Sequence, residues 1–119
     1  MTFSNSNCLS IERAMEFIGD QDGLLNLLAT LQDTLKQDLP EIQSLLDQGD
    51  LSGMNRLLHQ FKGFAPVFCV ADLVDQIVLV EGLSKKTDLQ AVRDAYAPLA
   101  PRLKQLLAEV QAHLAKATG

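Results

Sequence analysis

The sequence predicts an all-α protein, an antiparallel four-helix bundle with an additional short N-terminal helix. Three observations carry this reading. Hydrophobic residues make up 47% of the 119 positions, but only 5% are aromatic and Trp is absent; that suits helices packed on helices better than a sandwich or barrel. Apolar residues recur at helical spacing along most of the chain. The one segment with strand propensity has no partner strand elsewhere.

The elements follow in order. Ser10 is placed to cap a short first helix ending near Ile18. Asp20 to Asp22 open a long second helix whose stripe runs Leu24, Leu27, Leu28, Leu31, Leu35, Leu39, Ile42, Leu45 and Leu46, with a kink expected at Pro40. Gly49 closes that helix and Asp50 caps the third, whose apolar side gathers Leu51, Met54, Leu57, Leu58, Phe61, Ala65 and Phe68. Pro66 falls in the last turns of this helix and is expected to bend it or end it early. Val70 to Ser84 is apolar on nearly every face. Its Ile77 to Val80 run has strand propensity, but a helix apolar all round fits the middle of a bundle. Thr87 or Asp88 then caps a last helix to about Ala115, bent near Pro98 and Pro101. Residues 1–119 read as a single domain, disordered or loosely ordered over 1–8.

Composition excludes several functions. A net charge of −5 and a pI near 4.8 disfavour a nucleic-acid partner. Cys8 and Cys69 lack ligand spacing, so no metal site is expected. The opening MTFSNSN has no charged n-region of a signal peptide. The longest oily run, Phe64 to Val80, is broken by Pro66, Asp72 and Asp75 and is no membrane span. No self-complementary apolar seam is left over. The expectation is a soluble, cytoplasmic monomer, and the opening Met and full complement of helices favour a free-standing protein.

One stretch stands out, LLHQFKGFAP, from Leu57 to Pro66. A histidine in an oily run is ordinarily a core residue, but at about 100° per residue His59 falls opposite the apolar side of its helix. One turn away on its own side lie Asn55, Arg56, Lys62 and Gly63. Histidine is suited to nucleophilic and proton-accepting work near neutral pH. Lys62 at i+3 puts an ammonium where an anion on the imidazole would sit. Gly63 at i+4 clears the surface beside the ring, at a cost of roughly 1 kcal/mol in helix propensity. The set suits an imidazole that carries a phosphoryl group. The bland alternatives are a solvated lysine at Lys62 and a kink or accident at Gly63.

His59-Gln60-Phe61-Lys62-Gly63 resembles the H-x-[hydrophobic]-K-G signature of histidine-containing phosphotransfer (HPt) domains, the intermediates of two-component phosphorelays. The resemblance extends over nearly the whole chain: Phe17-Ile18-Gly19-Asp20 with Leu24-Leu25, the spaced leucines before Gly49-Asp50, and Leu73, Ile77 and Glu81 downstream. It implies a four-helix bundle in which His59 takes a phosphoryl group from a receiver-domain aspartyl phosphate and passes it to another receiver aspartate. It implies that Lys62 interacts with the phosphoryl group, that Gly63 gives the receiver access, and that Glu81 orients the imidazole. Partners would be response-regulator receiver domains and a hybrid sensor histidine kinase, with Mg²⁺ supplied by the receiver and no cofactor of the domain's own. Three residues depart from the family pattern: Phe64 where a small residue is usual, Cys69 where a glycine is usual, and Pro66 inside the helix.

Glu81 also has a geometric argument. Residues equidistant from the turn of an antiparallel hairpin lie level, and a turn centred near Val70 sets His59 level with Glu81. A carboxylate at one ring nitrogen leaves the other as nucleophile. The alternative is a solvated surface glutamate. Arg56 makes the patch basic with Lys62, and Asn55, Arg56 and Gln60 are candidate docking residues. Rival readings are a silent module of the same fold that sequesters a receiver, supported by Phe64, Pro66 and Cys69, a plain helical interaction protein, and a hydrolase using His59 with Cys69 or an acid. The last lacks a nucleophile–base–orienter set, so the protein reads as a phosphotransfer intermediate and not an enzyme.

Overall fold

The computed structural model describes residues 7–86 and 88–118. Helices begin where the chain places a side chain able to accept from free N–H groups. Ser10 accepts from the Arg13 N–H ahead of α1 (Ile11–Ile18), and Asp20 from Gly23 ahead of α2 (Gln21–Asp47). Asp50 accepts from Gly53 at the start of α3 (Leu51–Phe68). α4 (Ala71–Ser84) begins at Val70 with no side-chain cap. At α5 (Leu89–Thr118) Asp88 accepts from the Ala91 N–H at 3.0 Å, while Thr87 lies outside the described residues. Gly49 takes the left-handed conformation (φ 77°) that turns the chain from α2 into α3.

Short connections make sequential helices antiparallel neighbours. α2 packs on α3 and α5, and α4 packs on the same two helices, which closes a four-helix ring; α1 lies over α2 and α3. Leu24, Leu28, Leu35, Ile42, Leu58, Phe61, Leu73, Ile77, Leu99, Leu103 and Leu106 fill its centre. The fold is the all-α bundle the leucine stripes predict. Pro40, Pro98 and Pro101 lie on exposed helix sides, and α2 and α5 run through them unbroken. The carbonyls each proline leaves without a partner share its outer face and are open to water.

Three expectations need correction. Pro66 does not end α3, which continues to Phe68, where the Cys69 N–H still reaches the Ala65 carbonyl at 2.8 Å. The stretch 1–8 is not loose at its end: Cys8 is buried, and residues 1–6 lie outside the described residues. The Cys8 and Leu9 N–H groups donate to the Glu109 carboxylate at 3.0 and 3.1 Å, and Leu9 pairs antiparallel with Cys69. The Ser10 N–H donates to the Phe68 carbonyl and the Val70 N–H to the Cys8 carbonyl, so a passing extended segment satisfies the end of α3. Cys69 therefore sits in extended backbone (φ −106°, ψ 151°) and needs no glycine. Finally, α4 is not enclosed. Packed chiefly on α3 and α5, it leaves Val78 and Leu79 exposed at 42% and 57%.

Because Glu109 holds two backbone donors of the N-terminal segment, Glu109→Ala should cost roughly 1–3 kcal/mol. Urea unfolding measures it; a change below a few tenths would mean that the segment contributes nothing to the fold.

Candidate functional site

α3 and α4 are joined through Cys69 and Val70 alone, so the hairpin turns where the level argument requires. His59 Nδ1 lies 3.5 Å from Glu81 Oε2, with the His59 side chain 66% exposed and that of Glu81 2% exposed. Glu81 is thus a buried carboxylate and not a solvated one. The His59 contact is longer than a formed hydrogen bond, and a shift of about 0.5 Å closes it.

Four groups converge on this carboxylate. Lys62 Nζ is 3.4 Å from Oε1, and Lys85 Nζ, one turn along α4, is 3.5 Å from Oε2. The Asn55 amide donates to Oε2 at 3.2 Å, to the Glu81 carbonyl at 3.1 Å and to Ser84 Oγ at 2.9 Å. The Ser84 hydroxyl donates to the Glu81 carbonyl at 2.7 Å. Burial alone would push the Glu81 carboxyl upward; the Asn55 hydrogen bond and the Lys62 and Lys85 ammoniums outweigh it and hold the group below the usual carboxylate range. It stays ionised at neutral pH.

Phase explains which side chains join. Relative to His59, Asn55 and Lys62 are rotated about 40° and 60° toward α4, while Gly63 and Arg56 are rotated by the same amounts the other way. Asn55 is accordingly half-buried and turned into the α4 network, its amide engaged by Glu81 and Ser84. Arg56 and Gln60 remain exposed. A Cβ at Gly63 would meet nothing within 4 Å, so nothing inside the domain demands glycine there. Phe64 turns from His59 toward the core and packs its ring against Phe61, centroids 5.1 Å apart.

Sequence reasoning missed Lys85 and Ser84. The signal for Lys85 was present, since Glu81 and Lys85 stand at i,i+4. Ser84 could not be found so, because its value depends on Asn55 across the helix pair.

Gly63→Arg should keep or raise helicity, with a gain of roughly 0.5–1 kcal/mol. It should also slow phosphoryl transfer from a receiver roughly tenfold or more by covering the approach to His59. Circular dichroism and label transfer read the two effects; undiminished transfer would remove the access argument.

Among the described residues no cluster of three or more His, Cys, Asp or Glu could hold a metal ion, and no helix is long and apolar enough to cross a membrane. No curated protein and no solved structure shows significant similarity to the chain. The family model of the Hpt domain matches residues 26–113, which include every residue of this site. With that match over well more than half its length, on a helical bundle that exposes His59, the chain belongs to the Hpt domain family, whose members carry phosphoryl groups on histidine in phosphorelays and partner two-component receiver and kinase proteins.

Proposed function

We propose that His59 accepts a phosphoryl group from a receiver-domain aspartyl phosphate and passes it to an aspartate on another receiver. One observation carries the reading: an exposed imidazole has Nδ1 against a buried, ionised carboxylate. With the proton held at Nδ1, the Nε2 lone pair attacks phosphorus. The Nε2–P bond forms as the acyl P–O bond breaks, and the electron pair leaves on the aspartate. The reverse sequence delivers the group to the next receiver. Such transfer depends on in-line positioning and charge stabilisation. Lys62 supplies a cation beside the acceptor, Glu81 orients the ring, and Mg²⁺ comes from the receiver.

The docking face is assigned to Arg56, Gln60 and Gly63 on α3. Val78 and Gly82 extend it on the side of α4 that carries Lys85, and these supply the apolar and small residues that the sequence did not identify. The donor chain is a hybrid sensor kinase, and the setting is the cytoplasm. Phe64, Pro66 and Cys69, which supported a sequestering module, do not crowd His59: the first packs on Phe61, and the other two sit where α3 ends. A Cys69 nucleophile has no support, since burial, then Cys8, push its thiol up to about 12.

Incubation with a phosphorylated receiver tests the proposal. Label should move to this protein as an acid-labile, alkali-stable phosphohistidine. Tight receiver binding with no label on this chain would establish the sequestering role instead.

A further inference from the structure

Glu81 has more counter-charge than it needs. One carboxylate, 2% exposed, is met by two ammoniums: Lys62 at 3.4 Å on Oε1 and Lys85 at 3.5 Å on Oε2. A buried carboxylate is costly without a cation or hydrogen-bond donors. Lys62 is therefore committed to Glu81 while also lying one helical turn from the proposed acceptor.

The two lysines differ in what they move with. Lys62 is on α3, one turn from His59. Lys85 directly follows α4 as its C-cap, at i,i+4 to Glu81, so its pairing does not depend on the packing of α3 against α4. A phosphoryl group on His59 brings about −1.5 to −2 charge and three acceptor oxygens to α3. It competes with Glu81 for Lys62. If Lys62 were the only cation on Glu81, that move would leave a buried anion with Asn55 as its one fixed donor.

We propose that Lys85 is the resident counter-ion of Glu81, which frees Lys62 to bind the phosphoryl group. Lys85 is thus a positioning residue acting through Glu81, and the inference rests on His59 being the phosphoacceptor. The other groups facing the carboxylate are accounted for: His59, Asn55 and Lys62 from α3, and Lys85 from its own helix.

Phosphoramidate tests it without a receiver. The His59 Nε2–P bond forms as the P–N bond of phosphoramidate breaks and ammonia leaves, and ³¹P NMR follows the product. Lys85→Met should slow phosphohistidine formation roughly fivefold, and Lys85→Arg should restore it to within about twofold. In a Glu81→Gln background, where a neutral amide needs no counter-ion, Lys85→Met should change the rate by less than about twofold. Lys85→Gln provides a second neutral variant, and circular dichroism verifies that each is folded. An equal loss in both backgrounds, or no loss in either, overturns the proposal. Labelling of the wild type by phosphoramidate but by no receiver would refute the relay reading while still testing Lys85. Wild-type protein that neither donor labels overturns both.

Discussion

His59→Gln should take no detectable label from a phosphorylated receiver while unfolding almost as the wild type does. Removing the nucleophile removes the covalent path altogether, so the expected loss is total. The fold should not notice, because the side chain is 66% exposed and its one ion contact among the described residues is to Glu81 at 3.5 Å. Surface substitutions of this kind usually fall within about ±0.5 kcal/mol. The other histidine, His113, is on α5 and has its Nε2 buried. Label on the glutamine variant, read by gel autoradiography after alkaline treatment, would show that His59 is not the acceptor.

Phe61→Ala should have the largest effect on stability. Phe61 lies two residues beyond His59, on the opposite side of α3, and is fully buried against Phe64. Truncating such a ring costs about 3–5 kcal/mol, through lost transfer free energy and the cavity left behind. Domains are stable by only about 5–15 kcal/mol. The melting temperature should fall by roughly 10 °C or more. A loss under about 1 kcal/mol in urea would mean that Phe64 and its neighbours collapse into the space.

The paired outcomes separate two jobs of one short segment. His59 and Phe61 are two positions apart, about 200° around the helix. One faces solvent and the other anchors the helix. That division is legible in LLHQFKGFAP because helical periodicity is a local property.

Local properties account for most of what the sequence predicts. Ser10, Asp20, Asp50 and Asp88 cap because a short oxygen-bearing side chain reaches the N–H three residues on. The leucine stripes decide the bundle because each helix has one side to bury. The His59–Glu81 approach was also within reach, since a hairpin with a known turn has a fixed register.

Other features depended on what lies opposite. Asn55 is on His59's side by sequence, but a rotation of about 40° toward α4 turns its amide inward to Glu81 and Ser84. Cys69 looks like a missing glycine until the segment Cys8 to Ser10 supplies the hydrogen bonds that an αL cap would otherwise organise. Val78 and Leu79 read as core because nothing local shows that α4 packs chiefly on two helices and leaves one side open.

The sequence by itself determined that this chain forms a helical bundle and presents His59, Lys62 and Gly63 on one exposed side of a helix. Only the tertiary structure decided that Glu81 is buried and ionised and that Asn55 and two lysines hold it. The physical reason is the range of the forces involved: capping and periodicity act within a turn or two. The charge state of Glu81 is set by groups up to 26 residues away, brought within hydrogen-bond distance by packing alone.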